Sequence, residues 1–251
     1  MKPERRRIDQ LLTDRGLAPS REKARALLLA GAVRVANQRV DKPGTLVELD
    51  ATIEVAEQMP YVSRGGFKLA AALDHFHVDP SGRVCLDTGA STGGFTDCLL
   101  QRGAARVHAV DVGHGQLDWK LRNDSRVVIH EGVNARFLQP ADLGEAVSLA
   151  VCDVSFISAT LILPVLPPVL SDPGEIVVLV KPQFEVGRDQ VGKGGIVREP
   201  SLHQAACDKV QTSAAALGFA DIAIVPSPIL GAEGNREFLL YGRHTHHRHH
   251  C

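Results

Sequence analysis

The chain has 251 residues, of which 44% are hydrophobic and 23% charged, and its formal net charge is −1. This length suits one α/β domain with a small additional domain, and the composition is typical of a folded globular protein rather than a disordered one. The five cysteines are scattered, which argues against a disulfide framework and a metal site. The N-terminus has no apolar signal core, and prolines interrupt the longest apolar run at 161–170, which argues against secretion and a membrane span. Together these features favour the cytoplasm.

Charge is unevenly distributed along the chain. Residues 1–42 contain eleven Lys and Arg against five Asp and Glu. In this segment Ile8, Leu11 and Leu12 have helical spacing, and a second helix is predicted after a Ser20 cap, carrying Ala24, Leu27 and Leu28 and ending near Gly31. Strands are predicted at 33–35, around 40 and at 52–55, with a turn at 36–38. The segment 5–57 therefore reads as a small basic α+β domain.

The stretch from Arg7 to Val35 resembles the alpha-L RNA-binding module first described in ribosomal protein S-four. Ala36-Asn37 replaces the usual Asn-Gly of its turn, but asparagine tolerates left-handed backbone geometry, so the turn should form. The resemblance implies that the RNA-facing residues are Arg7, Ser20, Arg21, Lys23 and Arg25. The alternative is that these charges only solvate the surface of a helix.

Residues 58–63 include Met59-Pro60-Tyr61 and read as a linker. A short strand at 84–86 then leads into a glycine-rich turn and a helix at 95–102, which is the geometry of a nucleotide site in a doubly wound fold. The turn lacks the G-x-G-x-x-G spacing of a dinucleotide site and has an acid at the strand end, which favours S-adenosylmethionine. The predicted cofactor residues of this turn are Asp87, Gly89, Ser91, Thr92, Gly93, Gly94 and Phe95.

Two further cofactor contacts are predicted from the next strands. The second strand, 106–111, ends in Asp111, about 20 residues beyond the glycine turn, where a carboxylate can accept both hydroxyls of a ribose. After a third strand at 127–129, Asn134 could read the edge of adenine, although a local loop cap explains it nearly as well.

Charged residues follow the fourth and fifth predicted strands. The strand at 149–152 ends at Asp153, which is also a predicted cofactor contact, and the strand at 176–180 ends at Lys181. Both should face one crevice, because ligands of open α/β sheets lie beyond the carboxyl ends of the strands. A partly desolvated lysine near another cation loses proton affinity and can act as a base, whereas the alternative is a lysine that snorkels at a strand end.

Lys68 and Glu237 stand at similar boundaries, and the order Lys68, Asp153, Lys181, Glu237 resembles the K-D-K-E tetrad of the FtsJ-like 2'-O-methyltransferases. That resemblance implies Lys181 as the general base, Lys68 as the residue that positions the hydroxyl, and the two carboxylates as groups that orient the lysines. Methylation of an exocyclic amine usually requires an Asn/Asp-Pro-Pro-aromatic loop, and C5 methylation requires a nucleophilic cysteine. The loop here is Asp153-Val154-Ser155-Phe156, and Cys152 reads as a core residue.

Motifs from about Arg5 to Tyr241 together resemble the TlyA family. They include 63–66 with Arg64, the 87–95 turn, 153–158, 181–185, the glycine segment 192–197 and Gly234-Asn235. The resemblance implies a Rossmann-like S-adenosylmethionine-dependent methyltransferase domain at 64–243, preceded by the RNA-binding domain. It also implies methylation of cytidine 2'-hydroxyls in ribosomal RNA of the small subunit, the large subunit or both, and we favour a monomer.

Some members of this family have been called haemolysins, so a membrane-lytic protein is one alternative and a non-catalytic RNA-binding protein is another. The segment 186–198, with Lys193, suits a mobile lid that meets RNA phosphate, but a surface loop without a role fits equally well. With Arg64, Lys193 completes the predicted RNA contacts. The histidine-rich tail, 244–251, reads as a disordered end.

Overall fold

The computed structural model describes residues 4–56, 59–231 and 233–245, and the chain divides into two compact units, one ending at Met59 and one beginning at Pro60. The segment 58–63 was predicted to be a linker. Two of its residues pack within the second unit. The ring of Tyr61 contacts that of Phe67, with centroids 5.5 Å apart. The amide of Val62 donates to the Asp97 carboxylate at 2.9 Å. The predicted tail lies outside the described residues, except for 244 and 245.

The described residues of the first unit, 4–56 and 59, form two helices and five short strands. Strand β1 spans Arg5–Arg7, helix α1 Ile8–Asp14, helix α2 Arg21–Leu29, and strands β2 to β5 span Val33–Val35, Gln38–Arg39, Leu46–Glu48 and Ile53–Val55. The predicted helix pair is confirmed: Ser20 Oγ accepts from the Lys23 amide at 3.2 Å at the start of α2, and Gly16 and Gly31, beyond the helix ends, have φ of +70°. The apolar faces of the two helices meet in a buried cluster that includes Ile8, Leu12, Leu27 and Leu28.

In the first unit, the strands predicted at 33–35 and 52–55 are confirmed, the strand predicted around 40 is found at Gln38–Arg39, and one further pair was missed. Strands β3, β2 and β5 form one antiparallel sheet in that order. Its turn forms as expected, with positive φ at both Ala36 (48°) and Asn37 (66°). Strand β1 pairs with β4, Arg5 standing opposite Glu48. Neither was predicted, because three consecutive exposed arginines show none of the alternation that marks a strand.

The second unit alternates strands and helices. Its strands are β6 (Val84–Thr88), β7 (Arg106–Asp111), β8 (Val127–Glu131), β9 (Val147–Cys152), β10 (Leu170–Val180), β11 (Phe219–Pro226) and β12 (Phe238–His244). Its helices are α3 (Gly65–Phe76), α4 (Gly94–Gln101), α5 (Trp119–Arg122), α6 (Pro140–Leu143), α7 (Leu166–Val169), α8 (Pro182–Glu185) and α9 (Pro200–Ala216). The five strands predicted between 84 and 180 are confirmed, four of them longer than expected. His244, assigned to the tail from sequence, is the last residue of β12.

The seven strands form one sheet in the order β11-β12-β10-β9-β6-β7-β8. Strands β6 to β10 are parallel, and β12 runs antiparallel to its neighbours β10 and β11. The chain order reverses between β6 and β9, since β6 continues toward β7 on one side whereas β9 lies on the other. Such a reversal opens a crevice at the carboxyl ends of the two strands, which is where doubly wound folds bind ligands.

Apolar clusters cover both faces of this sheet. One cluster contains Leu86, Val110 and Val178 with α7 and α9, and the other contains Val107, Val151 and Leu179 with α3 and α4. Successive strand residues point to opposite faces, so a strand covered on both sides reads as a continuous apolar run. Among the described residues, no helix has both the length and the apolar character required to cross a bilayer.

Candidate active site

The glycine-rich turn after β6 approaches the end of β9 closely. Gly89 has φ of +83°, and a Cβ placed there would lie 2.5 Å from the backbone oxygen of Asp153. Gly93, with φ of +96°, caps α4. Glycine is required at both positions, since a side chain would be strained and at Gly89 would also strike the neighbouring loop. The turn therefore leaves a backbone-lined hollow at the switch point of the sheet.

Asp111, at the end of β7, holds this turn. One carboxylate oxygen accepts from the Ser91 amide at 2.8 Å and the other from the Gly113 amide at 2.7 Å. A carboxylate has about four acceptor positions. Asp111 can therefore hold the turn and still accept hydrogen bonds from a ligand, and it lines the adjoining cavity.

Two cavities share this hollow. The larger one, the apolar cavity, has a volume of about 300 Å³ and is lined by valines, Phe156, Asp111 and Asn134. The smaller one, the lysine cavity, has a volume of about 160 Å³ and is lined by Lys68 and Lys181 together with the glycine turn. Both are lined by Gly89, Ser91, Asp153 and Ser155. A ligand in the apolar cavity would therefore border a ligand in the lysine cavity.

The four tetrad side chains come together as two ion pairs. The Nζ of Lys181 lies 2.6 Å from Oδ1 of Asp153 and donates to Oγ of Ser155 at 2.7 Å. Lys68 donates to the carboxylate of Glu237 in a short contact. The side chains of Lys68 and Lys181 are only 10% and 11% exposed. Residues from four separate parts of the chain thus place two amines, each beside a carboxylate, on one small cavity.

The other predicted cofactor residues fall into two groups. Those that line at least one of the two cavities are Gly89, Ser91, Thr92, Gly94, Phe95, Asp111, Asn134 and Asp153. Asn134 also accepts from the Arg136 amide at 3.1 Å, so both interpretations of this residue fit its position. Asp87 and Gly93 line neither cavity. Asp87 is fully buried and accepts from Thr96 Oγ1 at 2.7 Å, so it supports the turn from beneath.

Cys152 and Phe156 flank the loop after β9 and differ in exposure. Cys152 is buried in the sheet, and this burial raises the pKa of its thiol to about 12, which confirms it as a core residue. Phe156, which the sequence reading did not single out as functional, is 89% exposed with φ of +68°. Its ring centroid is 5.5 Å from that of Phe184 in α8. An exposed aromatic ring thus lies at the rim of the apolar cavity.

The glycine-rich segment 186–198 is held at one end. Asn235 is 1% exposed; its Oδ1 accepts from the Val197 amide at 2.9 Å and its Nδ2 donates to the Gly195 oxygen at 2.9 Å. Lys193 is exposed. Arg64, also exposed, donates to the backbone oxygen of Leu230 at 2.7 Å. The contacts of Asn235 therefore anchor the C-terminal end of the segment 186–198. Asn235 itself stands two residues before Glu237 in the chain.

In the first unit, all five residues predicted to face RNA are exposed. Arg7 and Arg21 converge on Asp9, whose carboxylate oxygens lie 2.9–3.1 Å from their side-chain nitrogens. The hydrogen bond from Arg7 is the main reason that the pKa of buried Asp9 falls to about 2, and Arg21 adds to it. One acid paired with two arginines leaves a fixed positive surface on α1 and α2.

Comparison with known proteins adds independent evidence. Residues 61–244 match the family model of the FtsJ-like methyltransferases, and residues 6–53 match that of the S4 domain. The chain is 48% identical over 241 residues to the 16S/23S rRNA (cytidine-2'-O)-methyltransferase TlyA of Mycobacterium tuberculosis, covering 95% of this chain and 90% of that one. It is 42% identical to Hemolysin A of Brachyspira hyodysenteriae, with 94% and 98% covered. A solved structure of a candidate hemolysin from Streptococcus thermophilus has a TM-score of 0.74 at 45% identity, with 98% and 90% covered.

Proposed function

The chain belongs to the FtsJ-like methyltransferase family and carries an S4 domain ahead of the catalytic domain, and we propose that it methylates cytidine 2'-hydroxyls in ribosomal RNA. The observation that carries this proposal is the lysine cavity, where Lys68 and Lys181 each pair with a carboxylate. A ribose hydroxyl is a weak acid and a poor nucleophile, so its methylation requires a base within hydrogen-bonding reach. A cytoplasmic location follows from the proposed substrate.

The cofactor that the family uses, S-adenosylmethionine, fits the residues of the apolar cavity. Gly89 leaves space where a Cβ would strike Asp153, and Asp111 retains acceptor capacity for hydroxyl groups. The carboxylates of Asp111 and Asp153, which line this cavity, also supply negative charge for a cationic ligand. When bound, S-adenosylmethionine supplies an electrophilic methyl group.

We assign to the tetrad the roles that the resemblance to the FtsJ-like enzymes implies. Lys181 lines the lysine cavity, where its Nζ takes the proton of the hydroxyl while Asp153 and Ser155 hold that nitrogen in place. Lys68, fixed by Glu237, positions the oxygen of the hydroxyl. General-base catalysis of this kind contributes about 10²–10⁴-fold to a rate.

Recognition of RNA is assigned to exposed groups in both units. Phe156 offers a stacking surface to a base lifted out of a helix, as aromatic side chains do in many RNA-binding proteins. The proposed phosphate contacts of the second unit are the exposed residues Arg64 and Lys193, and the proposed RNA surface of the first unit consists of Arg7, Ser20, Arg21, Lys23 and Arg25. These contacts supply affinity and orientation, whereas the tetrad supplies the chemistry.

The first prediction concerns the base. Full-length protein is incubated with labelled S-adenosylmethionine and separated ribosomal subunits, and the RNA is digested to nucleosides. We expect labelled 2'-O-methylcytidine with the wild type and a loss of about 10²–10⁴-fold with Lys181→Ala, while calorimetry shows cofactor binding retained. Lys120→Ala is the matched control, since Lys120 also forms an ion pair, 3.1 Å from Asp97.

Undiminished labelling by Lys181→Ala would refute the assigned base. Label found on a base instead of the ribose would refute the reaction itself. Release of dye from liposomes, without transfer to RNA, would favour a membrane-lytic function.

A further inference from the structure

We infer that Glu185 is a positioning residue for the proposed methyl transfer, because it ties the loop that carries Asp153 to the helix that follows Lys181. The inference rests on the proposed function. Glu185 is the last residue of α8 and is 6% exposed. It lines neither the apolar cavity nor the lysine cavity, so any effect it has on the reaction must pass through other residues.

The carboxylate of Glu185 accepts from the opposite loop. Its Oε1 accepts from the backbone amide of Ala159 at 2.7 Å, and its Oε2 accepts from Oγ of Ser158. Ser158 in turn caps the 3-10 turn that begins at Ala159, its Oγ accepting from the Thr160 amide at 3.2 Å. One buried side chain therefore holds the end of the loop 153–158.

The same two segments are joined again at the cavity. Lys181, just before α8, contacts Asp153 at 2.6 Å and Ser155 at 2.7 Å. Between these attachments the rings of Phe156 and Phe184 lie 5.5 Å apart. The loop and the helix thus meet at the reactive end, at the two rings, and at Glu185. Removing Glu185 would free one end of the loop and alter the geometry around Nζ of Lys181.

The carboxylate of Glu185 also forms an ion pair with a lysine of the neighbouring helix. Nζ of Lys209, in α9, lies 3.2 Å from Oε2 of Glu185 and also donates to the Glu185 backbone oxygen at 2.7 Å. The Lys209 side chain is 45% exposed, so this ion pair contributes little net stability, but its hydrogen bonds help to fix the buried Glu185 in one geometry. That property matters here, since a misplacement of about 1 Å at a reacting group costs about 10²-fold in rate.

The experiment compares full-length variants in single-turnover methyl transfer at saturating S-adenosylmethionine and ribosomal RNA, well below the melting temperature of each variant. For Glu185→Ala we expect the rate constant to fall by about 10–100-fold, with the Kd for S-adenosylmethionine and the KM for RNA within about twofold of the wild type. The pH–rate profile should also be displaced, because the surroundings of the base change. Glu185→Gln, which keeps an acceptor for the Ala159 amide, should recover much of the rate.

Glu175→Ala is the matched control. Glu175 lies in the middle of β10, six residues before Lys181. Its carboxylate also pairs with a cation, Arg83, and accepts from a hydroxyl, that of Tyr241. Its loss should lower the melting temperature while leaving the pH–rate profile in place. If Glu185→Ala does not fold, Ser158→Ala removes only one of the two hydrogen bonds from the loop to the Glu185 carboxylate, together with the cap on the Thr160 amide. It should lower the rate several-fold with the same displacement of the profile.

Two results would overturn the inference: a wild-type rate and profile for Glu185→Ala, or a slower rate with an unchanged profile in both Glu185→Ala and Ser158→Ala. Failure of the proposed function has a different signature. In that case the wild type itself forms no 2'-O-methylcytidine, and Lys181→Ala matches it.

Discussion

The pKa of the buried residue Asp87 depends on the other charges of the site. One of its oxygens accepts from Thr96, and the other has no hydrogen-bond partner within the described part of the chain. Its pKa is raised to about 7, chiefly by burial and further by the charges of Asp153 and Asp111, while the Thr96 hydrogen bond opposes the rise. Asp87 thus titrates near neutral pH beneath the turn.

This pKa predicts how the stability of the ligand-free protein depends on pH. Because the folded-state pKa lies above the ordinary value, the stability linked to protonated Asp87 is complete below about pH 4 and is lost as the pH rises through 7. We expect the free energy of unfolding in urea to fall between about pH 4 and 7, and Asp87→Asn to remove up to about 1.4 kcal/mol per pH unit of that fall.

The companion variant Thr96→Val removes the hydrogen bond that favours the charged form of Asp87, so the folded-state pKa should rise and the fall in stability should continue to a higher pH. Identical pH dependence in the wild type and Asp87→Asn would contradict the raised pKa.

At the scale of elements, the turn that joins β2 and β3 is conformationally strained. Ala36 and Asn37 both adopt positive φ, at 48° and 66°. A left-handed conformation costs a residue with a Cβ about 1–2 kcal/mol, whereas glycine adopts it freely. The hairpin forms because the strands on either side pair across Val35 and Gln38 and because β5 adds a third strand.

The turn therefore predicts a stabilising substitution. Ala36→Gly should raise the free energy of unfolding of the first domain by about 0.5–1 kcal/mol, because the strain outweighs the entropy that glycine adds to the unfolded chain. The same substitution in a helix, Ala26→Gly in α2, should lower it by about 1 kcal/mol. Chemical denaturation of the full-length protein, followed by hydrogen exchange in residues 33–39 and 21–29, separates the two effects. Equal destabilisation by both variants would be inconsistent with a strained Ala36.

At the scale of the molecule, basic charge is concentrated in one unit while the whole chain is nearly neutral. The formal net charge is −1, yet the exposed faces of β1 and α2 carry Arg5, Arg6, Arg21 and Arg25. Neutralising phosphate with such residues releases counterions, which makes affinity depend on salt. The proposed function therefore assigns electrostatic binding of RNA to the first unit and the chemical step to the second.

Substituting one of these arginines should change the salt dependence in a countable way. For Arg25→Ala we expect weaker binding to ribosomal RNA and a plot of log K against log salt that is shallower by about 0.7–0.9, with S-adenosylmethionine binding unchanged. Arg102→Ala is the control, because Arg102 is in the second unit and pairs with Asp74. Filter binding over a range of salt concentrations measures the slopes. An unaltered slope for Arg25→Ala would show that Arg25 does not contact RNA phosphate.

Local patterns were enough to predict much of this molecule. The helix pair of the first unit, the five parallel strands, the glycine turn and the charged strand ends follow from the spacing of apolar residues and the chemistry of turns, which act between neighbours in the chain. The motifs also indicated the family, and with it the four tetrad residues.

Tertiary structure decided what depends on residues that are distant in the chain. Only the packed sheet shows that Lys181 pairs with Asp153 while Lys68 pairs with Glu237, that Asp87 lies beneath the turn, and that Arg5–Arg7 forms a strand against Leu46–Glu48. The hydrogen bonds by which Glu185 joins the loop 153–158 to α8 are equally invisible in the sequence, where Glu185 is only the last residue of the motif 181–185. Periodicity reports which face of an element is buried, but it carries no information on which partner covers that face, and that partner sets the distances on which the chemistry depends.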